Sequence, residues 1–229
     1  MEYTAELLGA IPSPADTRDY PLTAALAIPP ASLPFEYMPK PVPPVLQQIR
    51  GSCVGFSTTT MRMQQEQAEE DTWLNLDAMW LYERCKERDG MPNTPGTYVR
   101  VAMGVLRSTG QPRHGQNDAD HHKIKAYYKI PPRAYELKQA ILALGTIVVA
   151  GPWYDSWFHP TEASGYVLPA PTTLAGGHAY AITGWRDSRG FLIQNSWGRE
   201  WGSTGRAYMP FQYAARLWEA WKAIDAPTP

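Results

Sequence analysis

The chain has 229 residues, 44% hydrophobic and 12% aromatic, which is enough for one large domain or two small lobes sharing a cleft. Its net charge of −1, with no cationic stretch, argues against a nucleic-acid or anionic-membrane partner held by bulk electrostatics. No apolar run reaches the roughly 20 residues of a membrane span. The acidic first 20 residues also lack the cationic start and apolar run of a secretory signal, so the expected location is cytoplasmic, or external by release without a classical signal.

Residues 1–44 read as an arm. Pro12, Pro14, Pro21, Pro29, Pro30, Pro34, Pro39, Pro41, Pro43 and Pro44 punctuate it too densely for a helix. The remainder, 45–229, reads as one folded domain with a helical lobe over about 45–130 and a β lobe over about 131–229. Gly51-Ser52 leads into a helix from about Cys53 to Glu69. Asp77–Arg88 forms a second, with Asn75 or Asp77 as N-cap, and Thr97–Ser108 a third that stops at Gly110. Gly90–Gly96 is a turn-rich loop. A fourth helix runs from Pro132 to Leu144 and is closed by Gly145. Strand signals follow at 146–150, 165–168, 179–185, 191–195, 206–209 and 218–224. The fold class is therefore α+β.

Chemistry concentrates in three short segments: Gln47-Gln48-Ile49-Arg50-Gly51-Ser52-Cys53, Gly176-Gly177-His178-Ala179 and Gln194-Asn195-Ser196-Trp197-Gly198. A neutral thiol is a poor nucleophile, and the thiolate is the reactive form. Cys53 opens a predicted helix, whose N-terminal N–H groups and partial positive charge favour the thiolate. His178 follows two glycines that permit close backbone approach and opens a strand. Asn195 ends the next strand, where its side-chain oxygen would orient the imidazole. Gln47 and the Cys53 backbone N–H supply donors for a developing oxyanion.

These segments resemble the papain family of cysteine peptidases. Q-x(5)-C, G-G-H-A-x(4)-G-W and N-S-W-G-x-x-W-G stand here in that family's order, and the likeness extends over roughly residues 40–225. The resemblance implies a two-lobe fold in which a helical lobe faces an antiparallel β-barrel lobe across the active-site cleft. It implies Cys53 as nucleophile, His178 as acid/base partner, Asn195 as orienter and Gln47 in the oxyanion hole. Trp197 would cover the His178–Asn195 bond. Gly96, Thr97 and Gly177, with Trp197, would form the substrate-binding wall, although Thr97 stands where the family has a second glycine. Arg50 and Val54 also depart from the usual Cys-Gly-Ser-Cys-Trp, which leaves the subsite shape open. The substrate implied is a polypeptide, with no cofactor and no metal.

Other residues take plainer readings. Cys85 has no chemical context and reads as buried and apolar, so the two cysteines fit a reducing compartment rather than a disulfide framework. Asn117–His122, His114 and His159 read as surface residues because no second ligand cluster has metal spacing. Trp153, Trp157 and Trp185 read as core, Trp201 as a packing partner of Trp197, and Glu69-Glu70-Asp71 as a solvated helix end. Two further functions stay open: the same thiol chemistry applied to cell-wall peptides or acyl transfer, and a non-enzymatic binding module of a larger assembly. With 52 residues ahead of Cys53, a long helical inhibitory segment is not expected. The proline-rich arm either reaches the cleft and restrains the enzyme or merely bridges the lobes.

Overall fold

The computed structural model describes residues 2–22, 33–116 and 121–225. Three helices, α1 (Cys53–Glu70), α2 (Ala78–Lys86) and α3 (Val99–Ser108), pack together on one side of a sheet. Helix α2 starts where Asp77 Oδ1 accepts the Trp80 N–H at 2.9 Å, satisfying one of the otherwise orphaned amides of its first turn. In α3 the buried residues Val99, Ala102, Met103, Val105 and Leu106 recur every three to four positions and form one apolar stripe. A fourth helix, α4 (Ala134–Leu144), ends at Gly145 (φ 78°).

The sheet contains β1 (Glu36–Tyr37), β2 (Ala126–Ile130), β3 (Ile147–Tyr154), β4 (Leu174–Arg186), β5 (Gly190–Gln194), β6 (Arg206–Met209) and β7 (Glu219–Ile224). Its order is β2-β7-β3-β4-β5-β6, every pair is antiparallel, and β1 pairs with the far end of β4. The central strands are buried on both faces. Along β3, Ile147 and Val149 enter one apolar cluster with α4 residues Leu137 and Ile141, whereas Val148 and Ala150 enter a second with α1–α3. This is the period-two alternation of a strand carrying two cores.

Two expectations need correction. The sheet is open, not a closed barrel: β2 and β6 do not pair. Each outer edge is occupied by an irregular segment. Lys129 N–H of β2 donates to Tyr20 O, while Tyr208 of β6 exchanges backbone bonds with Tyr166 and Leu168. Covering an edge with chain removes the unpaired groups that would otherwise drive closure or association. The same bonds correct the strand expected at 165–168, which forms only a one-residue parallel bridge, Val167 to Tyr208, after a 3-10 turn at Glu162–Ser164. Strand β1 and the full extent of β2 carry little sequence signal. The former has two residues, and the latter mixes Lys129 with half-buried tyrosines.

Candidate active site

Helix α1 places Cys53 at its first position, where the residue is fully buried and unpaired with Cys85, itself buried. His178 lies on β4 opposite Gly151 of β3. Strand β5 pairs Gln194 with Ala181 of β4, so the chain leaving β5 delivers Asn195 alongside His178. The His178 Nε2 to Asn195 Oδ1 distance is 2.9 Å. Asn195 Oδ1 also accepts the Ser196 N–H at 2.8 Å, which fixes that atom as the amide oxygen. An amide oxygen only accepts, so Nε2 carries the proton and Nδ1 is left with a lone pair. Nδ1 has no hydrogen-bond partner among the described residues.

Aromatic rings close this bond off from water. Trp197 lies 4.9 Å from the His178 ring and Trp153 lies 4.8 Å from it. Trp197 is stacked between Phe158 at 5.5 Å and Tyr3 at 5.4 Å, and Trp201 meets it edge-on at 5.9 Å. Trp153, Trp157 and Trp185 are buried in the core, but Trp153 also forms part of the histidine's wall. Gln47, exposed, is held beside this group through an antiparallel bridge to Trp197. Its neighbour Gln48 donates its backbone N–H to Ser196 O at 2.7 Å and accepts from Ser196 Oγ at 2.5 Å.

The arm runs through the same place. Gly9 and Ala10 N–H both donate to Gly177 O, at 2.9 and 3.0 Å. On the other side Thr97 N–H donates to Gly9 O at 2.9 Å, and Ile11 N–H donates to Thr97 O at 3.1 Å. Residues 9–11 are thus bonded on both flanks, to the segment before α3 and to β4. The fit is close: a Cβ at Gly9 would lie 2.2 Å from Gly51 O, and one at Gly177 would lie 2.1 Å from Ala10 O. Further anchors are Gly51 N–H to Glu6 O, the Arg50–Glu6 ion pair at 2.7 Å, and Gln48 Nε2 to Leu7 O at 2.7 Å. At the far end Ser13 Oγ donates to Glu219 at 2.9 Å.

Electrostatics follow from that enclosure. Burial pushes the Cys53 thiol up to about 11, against the backbone N–H groups of Ala179, Gly9 and Val54 and its own, which favour the thiolate. Burial likewise pushes His178 down to about 4, opposed by its bond to Asn195. Both shifts favour the uncharged pair, the reverse of a thiolate–imidazolium. Glu219, buried on β7, is shifted up by burial against its bonds from Trp221 and Ser13.

Sequence reasoning placed Gln47, Cys53, His178 and Asn195 near one another, and the structure brings them to one locus with Trp197. Gly96, Thr97 and Gly177 also border it, as the groups that hold the arm. The sequence reading does not place Gly9 or Glu219 at the site, and it gives Trp153 only as core. A glycine inside a proline-punctuated segment, or a lone acid before a tryptophan, carries no motif. His114 and His159 are exposed, and Asn117–Asp120 lie outside the described residues. Among the described residues, the groups close enough to one another for a metal are Glu66 with Glu69 and Asp225, or with Glu70 and His122, and of these Glu66 and Asp225 already pair with the buried guanidinium of Arg62.

The model of a family described as "Papain family cysteine protease" matches residues 38–216. Among curated proteins, the chain is 32% identical over 89 residues to a cathepsin B-like cysteine proteinase 3 of Ostertagia ostertagi, a match covering 38% of this chain and 50% of that protein. It is also 32% identical over 89 residues to a gut-specific cysteine proteinase of Caenorhabditis elegans, covering 38% and 26%. The matches therefore span half or less of those relatives' length. Among solved structures, xylellain, a cysteine protease from Xylella fastidiosa, superposes with a TM-score of 0.79 at 22% identity over 99% of both chains. A procathepsin B from Trypanosoma congolense does so with 0.72 at 15% identity, over 97% of this chain and 88% of that one.

Proposed function

Because the chain belongs to the papain family of cysteine proteases, we propose that it hydrolyses peptide bonds through a Cys53 thioester, and that residues 3–13 hold it in a latent state. The observation that carries the chemistry is the His178 Nε2–Asn195 bond, which leaves Nδ1 with its lone pair free to take a proton from a thiol. In the active form the thiolate of Cys53 attacks the substrate carbonyl. Gln47 and the Cys53 N–H stabilise the resulting oxyanion. His178 donates its proton to the departing amine and then activates the water that hydrolyses the thioester.

Latency rests on geometry. Thr97 and Gly177 offer the backbone groups that an extended substrate would use, and Gly9–Ile11 already occupies them. The same segment keeps Cys53 and His178 dry and uncharged. Departure of the arm would readmit water, lower the thiol's pKa, raise the imidazole's, and free the groups that bind substrate. The alternative of an arm that only bridges the lobes does not account for its backbone bonding to Gly177 beside His178. The retained Cys53, His178 and Asn195 give no support to a purely non-enzymatic module, and nothing around the cleft favours cell-wall peptides over others.

A peptidyl epoxide tests the proposal. With the arm deleted through residue 22, one equivalent should add to Cys53 and casein cleavage should stop. Cys53→Ala should be unlabelled and inactive. Failure of the folded deletion variant to label at neutral pH would refute the nucleophile assignment.

A further inference from the structure

A second cavity, of about 490 Å³, opens away from Cys53 where the arm crosses α3 and β2. Arg18 and Tyr20 of the arm, Arg100 and Arg107 of α3, Lys125 just before β2 and Tyr127 on it line the cavity, and among the described residues no carboxylate does. These residues come from three separated stretches, so the cationic patch is invisible in a chain whose net charge is −1. Arg100 and Arg107 are seven residues apart, two helical turns, and so share one exposed face of α3. Gly104 sits on that face between them. A glycine inside a helix costs about 1 kcal/mol relative to alanine, yet a Cβ here would meet nothing within 4 Å. No packing contact demands the glycine.

The charges are arranged rather than merely numerous. Asp16 and Asp19 lie behind the cavity and orient two of its cations. Asp16 binds Arg18 at 2.7 Å and Arg100 at 2.6 Å, while Asp19 binds Arg100 Nε at 2.6 Å and Lys129 at 3.5 Å. Arg107 and Lys125 have no acidic partner among the described residues. Four cations thus line the cavity against the two carboxylates behind it, a local excess of two. Guanidinium forks match phosphate oxygens two at a time, and tyrosine rings offer flat faces. The volume falls within the range of small-ligand sites, about 300–1,000 Å³.

We propose that this cavity binds a small phosphorylated compound carrying a flat ring, of which a nucleoside polyphosphate is the simplest form, and that the bound ligand fastens the arm to the body. Arg18 and Tyr20 belong to the arm and the other residues to α3 and to the stretch 125–128 at the start of β2. A ligand that needs both is therefore bound by the closed state more tightly than by the open one, and shifts the population toward closure. The binding claim stands on the cavity alone. The effect on activity rests on the arm-latency reading above.

Titration calorimetry on the full chain at low salt, without added metal, tests it with ATP, tripolyphosphate and adenosine. ATP should saturate one site, bind at least about tenfold more tightly than tripolyphosphate or adenosine, and weaken as salt screens the cations. The double variant Arg107→Ala/Lys125→Ala should lose at least about tenfold in ATP affinity with an unchanged melting temperature. Absence of saturable ATP binding at millimolar concentration, or equal affinity in the double variant, overturns the site. Tripolyphosphate binding as well as ATP overturns the role of the ring. Saturating ATP should also slow thiol labelling of Cys53 in the full chain. ATP that binds without slowing labelling overturns the coupling to the arm and leaves the latency reading to its own test.

Discussion

Two buried stretches of helix α1, its N-terminal end and its middle, are built on opposite principles. At its N-terminal end, Cys53 and His178 sit without a charged partner, sealed by aromatic rings and by a segment that enters from elsewhere in the chain. About two and a half turns further on, Arg62 is fully buried as an ion, paired with Glu66 and, at 2.8 Å, with Asp225 of the chain following β7. His122 lies 3.5 Å from Glu66, and Lys222 places Nζ 3.0 Å from Thr146 O close by. Burial alone is therefore no sign of chemistry. The charged end is met by its own acids and tied to β7, whereas the uncharged end is enclosed by aromatic rings and by the segment that carries Gly9. On the proposed latency, that contrast separates a structural cluster from a site held in reserve.

Breaking the charged end should cost most in stability. Arg62→Met strands Glu66 and Asp225 without their cation, and losing one partner of a buried ion network costs about 3–5 kcal/mol. For a chain of this length, at about 2–4 °C per kcal/mol, the melting temperature should fall by roughly 6–20 °C. Turnover per folded, arm-deleted molecule should be unchanged. A variant that melts normally but cleaves slowly would show that the cluster serves the chemistry.

A smaller effect comes from Lys222. Burial pushes its amine down to about 7, with the Arg62 guanidinium acting in the same direction against Glu69 and Asp225. Between pH 7 and the ordinary lysine value of about 10.5, the unfolded chain binds the proton that the folded chain has released, so stability rises with pH through that window. The penalty is fully present below pH 7. Lys222→Met should therefore melt a few degrees higher than wild type at pH 6, and the gain should fade toward pH 10. Thermal melts across that range would contradict the burial argument if the gain grew with pH.

The uncharged end was largely legible in the sequence because each of its parts is local. A glutamine six residues before a cysteine, a histidine after two glycines, and Asn195-Ser196-Trp197 each sit at the edge of a helix or strand whose pattern is strong. The helices fell where capping residues and apolar spacing put them, as at Asp77 and along α3. The open sheet was not legible, because its edges are covered by chain without strand periodicity at residues 20–21 and 166–168. Nor was the arm's path: extended chain has no period, and its seat depends on Gly9, Thr97 and Gly177, far apart in sequence. Nothing local in the sequence marks Arg62 and Glu66 as buried, since the groups around them, Asp225 and Lys222, lie at the far end of the chain. The cationic cavity was hidden for the same reason.

The central claim is that the nucleophile is held neutral by the arm and not by the body of the protein. Gly9→Leu tests it most directly, because a side chain there would collide with the Gly51 backbone and displace the arm without substituting Gln47, Cys53, His178 or Asn195. The measurement is the pH profile of Cys53 carbamidomethylation by iodoacetamide, in wild type and in this variant. The account predicts slow labelling of wild type, rising only as pH nears about 11. The variant should label at least about tenfold faster at pH 7, with a midpoint several units lower, since each unit of pKa is worth about a factor of ten in thiolate. Superimposable profiles in the two folded proteins would contradict it.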